Sequence, residues 1–170
     1  MEVSEVFSKV KARMLEGMVF HDEMSRYFDF LDLCGYRYRH RKHYEEETKG
    51  YQKLCEYYMH HFNKLIPHQP MDRPDVIPDS WYNYSQTEVD SNTKRNAIRN
   101  ATRKWVEWET DTKNIYENMC GELLNEGEIA SYEFLSRFVK DVDEELKEAI
   151  HHHISLETIG YDLSFILSEQ

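Results

Sequence analysis

Four polar residues, His21, Glu47, Glu109 and Asp143, fall on or beside apolar stripes of helical period, each in a different segment of the chain. Stepping 100° per residue puts His21 at the centre of the stripe Val10, Met14, Met18 and Phe28, while Glu16 and Glu23 point away from it. Glu47 falls between Tyr44 and Tyr51, and His40 lies on the same stripe. Glu109 sits at the edge of the Trp105, Trp108, Thr112 face, and Asp143 flanks Val139, Val142 and Leu146, a line that His153 continues. A carboxylate taken out of water is costly unless it is paired or bound to metal. Three of them near one histidine repel each other unless protons or a divalent cation neutralise them. Carboxylate oxygens with one imidazole nitrogen are donors suited to iron or manganese.

These residues can meet only if the helices bring them to one height, so the connections decide the chemistry. All four prolines, Pro67, Pro70, Pro74 and Pro78, lie within one twelve-residue stretch, and proline both removes a donor and clashes with the preceding turn. The spacing predicts helices over about 3–33, stopped at Gly35, and over 36–66, stopped at Pro67. A third helix is expected after the caps Ser91 and Asn92, ending near Asn125 and Gly127. A fourth starts near Glu128, and Leu156, Ile159, Leu163, Ile166 and Leu167 form a short apolar tail. The connection over about 67–91 is far longer than a usual helix-to-helix loop. Helices of about 30 residues are about 45 Å long, and that connection can run their full length. Helices two and three are then parallel, and the four polar residues stand within about two turns of the midpoint.

At 170 residues the chain is expected to be one domain spanning 1–170. Its net charge of −11 opposes attraction to phosphate backbones. The one basic run is Tyr36-Arg37-Tyr38-Arg39-His40-Arg41-Lys42-His43, too short for more than two helical turns, so nucleic acid is not expected as a partner. No apolar run reaches the roughly 20 residues that span a bilayer, and the N-terminus lacks the basic start and apolar block of a secretory signal. A cytoplasmic location is expected. Three scattered cysteines, Cys34, Cys55 and Cys120, form neither a disulfide framework nor a zinc motif.

Two helical hairpins joined by one long crossover, with a short C-terminal helix, resemble the ferritin-like fold over nearly the whole chain. The fold class implied is an all-α four-helix bundle, up-down-down-up, with the crossover between helices two and three. The resemblance implies iron or manganese held at mid-bundle, with His21, Glu47, Glu109 and Asp143 as ligands. It also implies iron oxidation or storage and a homo-oligomer, at least a dimer, paired through the first two helices. The family's Glu-x-x-His pairs are absent: Gly50 and Leu146 stand where histidines follow Glu47 and Asp143. The literal match Glu148-Ala-Ile-His151 is expected on the outward face. The alternative is a bundle that kept the fold without the metal and works as a binding or assembly protein, with Trp81, Tyr82 and Tyr84 of the crossover as its contact surface.

Overall fold

The computed structural model describes residues 1–169, with side chains as far as 166. Leu167, at the end of the expected apolar tail, lies outside the described side chains. Among the described residues five helices follow in order: α1 (Val3–Phe30), α2 (Cys34–Phe62), α3 (Ser91–Asn125), α4 (Ile129–Thr158) and α5 (Leu163–Glu169), with two short 3₁₀ turns, Asp79–Asn83 and Gln86–Glu88, in the crossover.

Helix boundaries follow from local chemistry. Asp32, not Gly35, ends α1: it takes the left-handed conformation at φ 60°, while Leu33 N–H donates to Phe28 O and Asp32 N–H to Asp29 O. That pair of bonds is a Schellman motif, closed by the buried Phe28 and Leu33. Gly35 is thereby already inside α2. Gly127 and Gly160, both at positive φ, end α3 and α4 with the same bonds, Glu128 N–H to Leu123 O and Tyr161 N–H to Leu156 O. Helix α2 stops at left-handed Asn63, four residues before Pro67. The cap of α3 is Asp90, whose carboxylate accepts from Thr93 N–H at 2.7 Å, so Ser91 is the first helical residue rather than the cap.

Apolar contacts fix the helix directions. One core cluster joins Phe20, Met24, Phe28 and Tyr36 to Ala97, Ile98, Trp105, Ala149 and Leu156. The other joins Val6, Phe7, Val10 and Met14 to Leu54, Tyr58, Met119, Leu123, Leu135 and Val142. The start of α2 therefore meets the start of α3 and the end of α4, and the order is up-down-down-up with α2 parallel to α3. Each large side chain buried in this way contributes about 1.5–3 kcal/mol. Between the two clusters lies a layer of polar side chains.

The crossover is strapped along α1. Ser8 Oγ donates to Pro67 O, Lys11 Nζ to Ile66 O, and Arg73 pairs with Glu23. Trp81 packs edge-on against Tyr27 and Phe30, whereas Tyr82 and Tyr84 are exposed. The aromatic loop thus uses its tryptophan for packing and leaves its tyrosines in solvent. No helix among the described residues is long and apolar enough to cross a membrane.

Candidate metal centre

The polar layer is built on a stripe that α2 carries at three- and four-residue steps: Tyr36, His40, His43, Glu47, Gly50, Leu54 and Tyr58. His40 and His43 belong to the basic run, but the helix turns them inward and buries both. The cations beside them face acids instead: Arg37 meets Asp29, Arg39 meets Glu148 and Arg41 meets Asp22. This pairing removes the run as a basic patch.

From α1, fully buried His21 reaches across to α3, with Nε2 at 3.1 Å from Glu109 Oε1. Its other nitrogen, Nδ1, stands 3.1 Å from His40 Nδ1, so one ring donates there and the other accepts. Trp105 lies edge-on to His40 at 4.6 Å. Burial, followed by the neighbouring His43, holds the His21 pKa well below its ordinary value, and both imidazoles of the pair are neutral. Glu109 is also fully buried. Burial first, then Glu145 and Glu47, pushes its pKa well up. Glu47 behaves alike, raised by burial and then by Glu145, and its carboxylate packs closely on Gly17, where a Cβ would lie 3.2 Å from Glu47 Cδ.

Of the four residues expected from sequence, the structure brings together His21 and Glu109 in contact, with Glu47 beside them. Asp143 stands apart. Its carboxylate is held at 2.8 Å by both Lys113 and Lys147, and those two bonds lower its pKa to about 2. The inward carboxylate of α4 is Glu145. Buried Leu135, Val142, Ala149 and Leu156 mark the inner line of α4; Glu145 sits between Val142 and Ala149 on that line, while Asp143 turns toward α3. His21, Glu109 and Glu145 offer ligand atoms all within 4.8 Å of one another.

His43, Glu46 and Glu145 make a second such group, but its imidazole is itself the cation. Burial pulls the His43 pKa down, yet its contacts with Glu145 and Glu148 outweigh that and raise it to about 10. Glu148 lies 3.2 Å from His43 Nε2. It is held down at about 2 by that hydrogen bond, against its burial, and by Arg39. Glu148 therefore turns toward α2 and stays half-buried rather than facing outward as the Glu148-Ala-Ile-His151 segment was expected to, whereas His151 is exposed. His153 Nδ1 lies 3.4 Å from the Tyr161 hydroxyl.

Two carboxylate oxygens of the inner group, Glu109 Oε2 and Glu145 Oε2, are buried without a hydrogen-bond partner among the described residues. Buried acceptors left unpaired cost about 1–3 kcal/mol each, more when charged. A cation between them would satisfy both, with His21 Nε2 as the nitrogen donor. The position three residues after Glu47 is Gly50, which offers no ligand, and a Cβ there would press on the Phe138 ring at 3.2 Å.

No protein-family model matches the sequence, and no curated protein matches it. Solved structures match along almost the whole chain. A humanized archaeal ferritin is 19% identical with a TM-score of 0.79, covering 97% of this chain and 90% of its own. An open-pore ferritin from the hyperthermophilic archaeon Archaeoglobus fulgidus is 18% identical with a TM-score of 0.78, covering 97% and 91%. A PmFTN variant soaked in iron is 14% identical with a TM-score of 0.78, covering 98% and 95%. The fold is therefore ferritin-like.

Proposed function

We propose that this ferritin-like bundle binds an iron or manganese ion in its core through His21, Glu109 and Glu145, with Glu47 next to them. The observation that carries the reading is the pair of buried, unpartnered oxygens Glu109 Oε2 and Glu145 Oε2 facing a neutral imidazole. Iron is the ion the ferritin neighbours favour, as substrate or cargo for oxidation and storage. When bound, it would supply one-electron redox chemistry.

The chain's own residues prepare that chemistry. His21 presents Nε2 to the ion only if Nδ1 keeps its proton, and Nδ1–H then donates to His40 Nδ1. Outer partners of this kind fix the tautomer and orientation of a metal-binding histidine. His40 consequently carries its own proton on Nε2, beside Trp105. Arg13 sets a buried cation near the carboxylates: it stacks on Trp108 at 3.4 Å and donates to Thr112 Oγ1. The apolar clusters close the layer above and below, while its Glu47 and Glu145 side opens into the cleft between α2 and α4.

A second reading, a bundle that keeps the fold for binding or assembly without a metal, is favoured by Phe138 packed on Gly50 where a histidine ligand is absent. Self-association of a cytoplasmic protein accompanies either reading; exposed Val19 on α1 and Met71 on the crossover are apolar groups such a contact would cover. Anaerobic calorimetric titration with Fe(II) and Mn(II) separates the two readings. Saturable uptake that disappears in His21→Ala and in Glu145→Gln supports the metal centre, and no uptake by the parent protein leaves the second reading.

A further inference from the structure

The polar layer offers an ion one ligand side chain from each long helix: His21, Glu47, Glu109 and Glu145. Two-metal carboxylate bundles bring more, a Glu from each of two helices and a Glu-x-x-His pair from each of the other two. The donors here are enough for one ion and short of a set for two.

The places beside Glu47 where further ligands would have to stand are glycines. On α1, Gly17 is buried four residues from both Arg13 and His21, and a Cβ there would lie 3.2 Å from Glu47 Cδ. On α2, Gly50 follows Glu47 by one turn, and a Cβ there would meet the Phe138 ring at 3.2 Å. Neither position brings a ligand atom.

The other two buried imidazoles are engaged. His40 Nδ1 meets His21 Nδ1 at 3.1 Å. His43 has Glu148 at 3.2 Å from Nε2, and Glu46 and Glu145 at 3.5 and 3.6 Å from Nδ1, so both of its nitrogens face carboxylates. Protein cations also supply charge that a second ion would bring: against the burial and the Glu145 charge that raise the Glu47 pKa, His43 and then Arg13 act to lower it. The outer acids of the α2–α4 cleft, Glu46, Asp141 and Glu144, are exposed, where water and salt screen their pull on a cation.

We infer that the centre is mononuclear: the layer holds a single Fe(II) or Mn(II) on His21, Glu109 and Glu145, with Glu47 beside it, and Gly17 and Gly50 withhold the ligands of a second ion. The inference rests on the metal reading and deepens it. A lone iron passes one electron at a time. Chemistry that draws two electrons at once from a pair of ions is therefore closed to this layer.

Anaerobic titration of chelator-treated protein with Mn(II) tests it, read by calorimetry for stoichiometry and by electron paramagnetic resonance for spacing, since paired ions stand roughly 3.5–4 Å apart. The expected result is one tightly bound Mn(II) per chain with the resolved hyperfine pattern of an isolated ion. Gly50→His combined with Phe138→Ala builds a Glu-x-x-His pair with room for its ring. It should raise the tight stoichiometry to two and replace that pattern by the broadened signal of coupled ions. Gly17→Asp, whose Cβ first meets the flexible end of Glu47, adds a ligand from α1, should act in the same direction, and serves if the double variant fails to fold. Two tight, coupled ions in the parent protein overturn the inference and leave the metal reading standing. Folded variants that still bind one ion overturn it too, because the glycines are then not what withholds the second. No tight uptake by any of the proteins removes the metal reading and this inference with it.

Discussion

Glu109→Gln should make the metal-free protein more stable and the metal-binding protein worse. In the chain as it stands, Glu109 Oε1 meets His21 at 3.1 Å, while Oε2 is buried with no partner and Glu145 Oε2 is in the same state. The amide oxygen keeps the contact with His21, and the amide N–H turns one orphaned acceptor into a donor aimed at the Glu145 carboxylate. A hydrogen bond to a charged group contributes about 1.5–3 kcal/mol. For a domain of this size 1 kcal/mol moves the midpoint by roughly 2–4 °C, so a gain of about 2 kcal/mol raises Tm by roughly 4–8 °C. The sign depends on pH. The folded pKa of Glu109 lies well above its ordinary value, so its stabilising protonated form is fully present below the unfolded value near 4.5 and is lost as pH rises toward the folded one. The advantage of the variant must therefore be small in acid and grow on going to mildly alkaline solution. Metal affinity must fall by more than the 10–100-fold that outer partners cost, because a ligand itself is gone. Thermal unfolding in chelator across that pH range, paired with Mn(II) calorimetry, measures both. A variant that is destabilised equally at every pH, or that retains Mn(II) affinity, would refute the account of the polar layer.

Asp143→Ala should leave Mn(II) affinity unchanged, since Lys113 and Lys147 rather than the core hold that carboxylate; calorimetry beside Glu145→Gln checks it. His40→Leu should cost about 10–100-fold in Mn(II) affinity by freeing the His21 tautomer, with the change also visible in the ¹⁵N shifts of the His21 ring. Gly50→His alone should destabilise by about 1–3 kcal/mol through overpacking on Phe138, and the added Phe138→Ala should relieve that cost, as seen by urea unfolding. Asp32→Gly should stabilise by about 1 kcal/mol, because glycine adopts the left-handed position that ends α1 without strain; the same unfolding assay reads it.

The helical bundle and its crossover were legible because prolines confined to one stretch leave no other place for the long connection. The inner faces were legible where an apolar stripe is narrow, as on α1 and α3, and this is why His21 and Glu109 read as inward-facing from the sequence and are buried in the structure. On α2 the large tyrosines draw the inferred stripe toward Tyr44 and Tyr51, both only partly buried, and the basic run around His43 hides its inward position. The signal for it was the three- and four-residue spacing from Tyr36 through His40, His43 and Glu47 to Leu54. On α4, Val139, Val142 and Leu146 turn the inferred axis by less than half a residue step toward α3, enough to favour Asp143 over Glu145. Valines and leucines on the flank of a helix are apolar enough to mimic its centre, and only the partner helices reveal which carboxylate they enclose. Asp32 was missed as a stop because glycine is the usual left-handed residue and Gly35 stood nearby.

The most direct test of the metal centre is diffraction from Mn(II)-soaked crystals at a wavelength where manganese scatters anomalously. The account expects an anomalous peak within bonding distance of His21 Nε2, Glu109 and Glu145, with Asp143 still on its two lysines. A fully soaked crystal with no peak in the polar layer, or with manganese bound by Asp143 instead, would contradict it.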